Sequence, residues 1–66
     1  MHPKHSNIFV RLSGQNGNAF MIVGVCIEAA RKAGLPKGEI DQFVKEATNA
    51  SYDDLLQTVM RWFNCE

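Results

Sequence analysis

Histidine, cysteine and net charge are all scarce in this sequence, and each shortage excludes a class of chemistry. Both histidines, His2 and His5, fall in the first five residues. With no imidazole elsewhere, no Ser/His/Asp or Cys/His order suggests an activated nucleophile. The two cysteines, Cys26 and Cys65, lie far apart in the chain and belong to no Cys-x-x-Cys or Cys/His cluster, so the ligand spacing of a structural zinc site is missing. His2 and His5 do make an HxxH, but it flanks Pro3 with no acidic or thiol ligand nearby, and no metal is expected there. The residues point to no enzyme and to no cofactor.

Charge of one sign is lacking too. Seven basic residues balance seven acidic ones, which removes the positive field that drives counterion release on nucleic acid. Nucleic acid is therefore not the expected partner. The longest apolar run, Ala19 to Ile27, contains Gly24 and ends at Glu28, well short of the roughly 20 residues that span a bilayer. No membrane segment is predicted. Met1-His2-Pro3-Lys4-His5 leads into no apolar signal region, so a secretory leader is not expected and a cytoplasmic location is.

What is present is material for one small core. Of the 66 residues, 45% are apolar, enough for a globular domain that buries about 60% of its unfolded surface. We read residues 1–7 as a flexible tail and 8–66 as a single domain. Ile8, Val10 and Leu12 alternate with Phe9, Arg11 and Ser13, the period of a strand with one covered face. Ser13-Gly14-Gln15-Asn16-Gly17 then reads as a turn. Gly14 to Asn18 before a helix resembles an anion cradle, but it lacks the lysine of a P-loop, so a plain turn is expected.

Asn18 stands as an N-cap. From Ala19 a helix is predicted, with Phe20, Val23, Ile27 and Ala30 at steps of three and four, while Met21, Ile22, Val25 and Cys26 make other faces apolar. This predicts a central helix covered on several sides, polar only after Glu28 and stopped by Gly34. The β-branched stretch Phe20 to Ile27 leaves a rival reading open, a second strand hairpinned to the first. Cys26 is expected as a small buried hydrophobe and Cys65 as a more exposed thiol.

Pro36 starts a second helix reaching about Thr48, with an Ile40, Phe43, Val44, Ala47 stripe and possible Lys37/Asp41 and Asp41/Lys45 pairs. Ser51 and Asp54 have capping-box form for a third helix, so Asp53 and Asp54 are read as first-turn charges that favour the dipole and not as a metal pair. Tyr52, Leu55, Leu56, Val59, Met60 and Phe63 form its apolar stripe, passing near Trp62. Arg61 beside Trp62 and Phe63 has too little positive charge around it for a base-stacking groove. These aromatics are expected to serve the core and a partner surface.

Two stretches, Gly17-Asn18-Ala19-Phe20 with Gly24 in the helix that follows, and Tyr52-Asp53-Asp54-Leu55-Leu56 running on to Met60-Arg61-Trp62, resemble a group of short bacterial and phage-borne proteins. The resemblance covers the chain from about Ile8. It implies small size and carriage on mobile elements, and it brings no catalytic residues.

The expected fold is α+β and mostly helical, one N-terminal strand followed by three helices. The expected function is a small protein-interaction module, with Ile8, Val10, Leu12, Arg61 and Trp62 as its surface. A nucleic-acid-binding accessory protein is the alternative, if Arg11, Arg31, Lys32, Lys37 and Arg61 gather on one face. A lone strand leaves backbone groups unpaired, so a homodimer through Ile8 to Leu12 is expected, with an unidentified protein as a further partner. A short return strand at Phe63 to Cys65 would satisfy the same edge within one chain.

Overall fold

The helices begin at a side-chain cap, Asn18 or Ser51, or just after Pro36, whose ring fixes φ for a first turn. A computed structural model describes residues 3–12, 18–49 and 51–65. The turn and anion-cradle readings of 13–17 therefore lie outside the described residues, as does His2. The elements are β1 (His5–Val10), α1 (Ala19–Lys32), α2 (Lys37–Ala47), α3 (Tyr52–Trp62) and β2 (Phe63–Cys65). The expected strand and three helices are all there. Phe20 to Ile27 belongs to α1, which removes the hairpin reading.

Asn18 Oδ1 accepts the Met21 N–H at 3.1 Å, capping α1. At the other end Leu35 N–H donates to Ala30 O and Gly34 N–H to Arg31 O, both at 3.0 Å. This is a Schellman motif, and it places Gly34 at φ 85°, where a side chain would be strained. Pro36 leads into α2 without a side-chain cap. Ser51 Oγ accepts the Asp54 N–H at 3.3 Å and donates its own hydrogen to the Asp54 carboxylate at 3.1 Å. The box predicted for α3 thus forms, though its return bond comes from the serine hydroxyl and not from the cap's backbone.

The short return strand exists. Phe63 leaves α3 directly in extended conformation, at φ −131° and ψ 164°, and β2 lies parallel to β1 with His5 opposite Phe63 and Val10 opposite Cys65. Parallel strands need a long crossover; here all three helices supply it. The register is irregular between His5 and Phe9. Pairing with β2 also moves the strand from the predicted Ile8–Leu12 to His5–Val10. Lys4 N–H donates to Arg61 O at 2.7 Å, and the His5 ring lies 5.6 Å from Trp62 and 6.2 Å from Phe63. Residues 3–7, expected to be part of a flexible tail, are recruited by these contacts.

The core joins Ile8 and Val10 of β1, Ile22, Cys26 and Ala30 of α1, Ile40, Phe43 and Ala47 of α2, Leu55, Val59 and Trp62 of α3, and Phe63 of β2. The line that α3 buries is Leu55, Thr58, Val59 and Trp62. It is rotated from the predicted stripe, leaving Leu56 half-buried and Met60 exposed. Phe43 meets Trp62 and Phe63 edge-on, with centroids 5.6 and 5.0 Å away, the geometry that aromatic quadrupoles favour. Among the described residues, no helix is long and apolar enough to cross a membrane.

Candidate interaction surface

The residues predicted to form a surface divide between core and solvent. Ile8, Val10 and Trp62 are 4%, 2% and 3% exposed. Leu12 is half-buried against the core, and Arg61 is exposed with Nη2 donating to Thr58 Oγ1 at 3.1 Å. Ile8 and Val10 alternate inward as the pattern predicts, which leaves Phe9 and Arg11 facing out. What β1 offers a partner is its backbone and Phe9. Among the described residues no strand pairs its second edge.

Trp62 is enclosed by charge as well as by rings. Its Nε1 donates to Glu46 Oε1 at 2.9 Å, and Lys4 Nζ stands 4.1 Å from its ring centroid. Lys4 and the His5 Nε2 also reach the same Glu39 oxygen, at 3.6 and 3.2 Å. Hydrogen bonds from Gln42 and then Trp62 hold the Glu46 carboxyl below its usual range. The arrangement anchors the start of β1 over α2 and α3, a role that the Lys4 and Trp62 positions did not reveal in sequence.

The two thiols are chemically quiet. Burial, with a smaller contribution from nearby Cys65, pushes Cys26 up to about 12, and burial also raises Cys65. Neither supplies thiolate at neutral pH. Among the described residues no group of three or more His, Cys, Asp or Glu side chains could hold a metal ion.

Nor do the basic residues collect on one acid-free face. Lys32 pairs with Glu28 at 3.8 Å, Arg31 and Lys37 share a groove with Asp41, and Arg11 follows the far end of β1 from Arg61. The Lys37/Asp41 and Asp41/Lys45 pairs read from spacing do not close to ion-pair distance.

The larger finding is α1. Its core line is Ile22, Cys26 and Ala30, not the Phe20, Val23, Ile27 and Ala30 line, and both of its flanks are open. Phe20 is 87% exposed and Met21 46%. On one flank a groove of about 550 Å³ lies between Val23 and Ile27 of α1, Val44 and Ala47 of α2, and the start of α3 at Tyr52. On the other, Val25 and Ala29 line a groove of about 490 Å³ against Asn7, Ile8 and Phe9 of β1. All-round apolarity was visible in sequence; only packing shows that two sides of the helix are just partly covered, with Val23, Ile27 and Ala29 half-buried against the core. Compared with protein-family models, with curated proteins and with solved structures, the chain matches none.

Proposed function

We propose that this chain is a small protein-interaction module that pairs with a second copy of itself through the open edge of β1. The observation that carries the reading is the apolar surface beside that edge: Phe9 is 58% exposed, and Met21, 46% exposed, begins an α1 flank continued by Val25 and Ala29. β2 meets the backbone's need for partners on one side only. A second copy laid antiparallel on the other side extends two strands to four and covers Phe9, and a two-fold axis closes the assembly without growth into a fibre. A domain this small gains most from such added burial.

A cytoplasmic setting suits this reading, because Cys26 and Cys65 are both free thiols and reducing compartments keep them so. Carriage on a mobile element, which the resemblance to phage-borne proteins adds, has no bearing on the chemistry. Sedimentation equilibrium at ~10 to 100 μM tests the pairing. Wild type is expected to sediment as a dimer and Phe9→Lys as a monomer, since charge on an edge strand blocks pairing. Phe9 is the residue to change because Val10 is core and pairs with Cys65 inside the chain. A wild-type monomer across that range overturns the proposal.

A further inference from the structure

The α1 flank facing α2 is not used by that self-association. Two grooves open there, one holding Phe20 and Val23, the other Arg31 and Lys37, and they share Ile27 and Val44. They form one furrow. Along α1 it runs from Phe20 to Arg31, roughly 17 Å or three helical turns. Its walls are mostly apolar from Phe20 to Val44, with Arg31, Lys37 and Asp41 at one end, and one side is open to solvent, whereas a small-molecule site encloses most of its ligand. A helix lying lengthwise needs just such a trough, into which it sets residues spaced i, i+3 or i+4, and i+7.

The ends of the furrow differ. At one end Phe20 stands 87% exposed. At the other, Arg31 and Lys37 outnumber the one carboxylate there, Asp41, and neither cation forms an ion pair among the described residues. A bound helix whose C-terminus lies there would bring its partial negative charge, and any acidic side chains of its last turn, onto two free cations. The exposed helix of a second copy does not match: α1 has no acidic residue in its first turn and carries Arg31 and Lys32 in its last.

We infer that this furrow is the docking site for an amphipathic helix of a different protein, about three turns long, whose acidic C-terminal end meets Arg31 and Lys37. The inference rests on the interaction-module reading and adds a second surface with a partner of defined chemistry. It is tested by selecting an mRNA-displayed library of three-turn peptides, held helical by a side-chain staple, against the full chain. Affinities of the selected peptides are then measured for wild type, Phe20→Ala and the Arg31→Glu/Lys37→Glu double variant. All three positions are exposed, and an unchanged urea midpoint verifies that each variant folds.

Selected peptides should converge on the apolar spacing with Asp or Glu in the last turn, and should bind each variant about tenfold or more weakly than wild type. No enrichment, equal binding to the variants, or a basic last turn would overturn the inference. Sedimentation of the same samples separates the two surfaces. A dimer that selects no helix loses only the furrow, and a monomer that selects one loses only the strand pairing.

Discussion

Helices α1 and α3 both carry wide apolar faces, and the fold treats them in opposite ways. α3 is tied at both ends, by the Ser51 cap at its start and by direct passage into β2 at Phe63, and it buries Leu55, Thr58, Val59 and Trp62 in one line. α1 buries a single line as well, Ile22, Cys26 and Ala30, but its apolar side chains continue around both flanks into solvent. The difference is one of supply. Among the described residues, two other helices and two short strands are what the chain has with which to cover a helix. Apolar width beyond what those elements reach stays exposed or half-buried.

Loss of Trp62 should break the α3 side most severely. Trp62→Ala removes a buried ring together with its bond to Glu46 and its contact with Lys4, and is expected to cost about 3–5 kcal/mol in urea unfolding. A cost under about 1 kcal/mol would show that the α3 line does not hold the fold together. Alkaline pH probes the core line of α1. Cys26 holds its proton to about 12 in the folded chain against 9.0 for the ordinary thiol, so an unfolded chain releases that proton first. Stability is then fully present below pH 9 and falls as pH rises from 9 towards 12. In Cys26→Ala this fall should become shallower; an unchanged pH profile would place the thiol in water.

A smaller effect sharpens the contrast at the helix ends. Ser51→Ala should cost about 1 kcal/mol through the lost cap on α3, read as a shift in urea midpoint without a change in slope; no shift would mean that water replaces the cap. The smallest effect belongs to the exposed flank. Phe20→Ala, which deletes the largest side chain on α1, should change monomer stability by less than about 0.5 kcal/mol because almost none of that ring is buried. A cost near that of a core phenylalanine would show that Phe20 is covered and that the two helices are not different after all.

Much of the fold was legible because its signals are local. Asn18, Gly34, Pro36 and Ser51 each act on backbone groups within a turn of themselves, so helix starts and stops could be read from short windows. Inward Ile8 and Val10 followed from simple alternation. Phe63 to Cys65 was harder, since three residues carry no period. Its strand pairs with a segment at the other end of the chain. The candidate surface was least legible. Ile8 and Val10 enter it through an unpaired strand edge and Trp62 as an aromatic beside Arg61, and neither signal distinguishes a side chain that the fold covers from one that it leaves in solvent; Ile8, Val10 and Trp62 are in the core, and Phe9 and Phe20 face solvent.

By itself the sequence determined a small helical domain with one leading strand, capped helix starts and no charge bias, because capping, glycine stops and amphipathic periods are properties of neighbouring residues. Tertiary structure alone decided which line of α1 and α3 is buried, that Lys4 and His5 are held by Trp62 and Glu39, and that grooves run beside α1. Those outcomes depend on how many elements meet around each helix and at what rotation. That is settled by packing between residues far apart in the chain, where burial on one side necessarily leaves another side open.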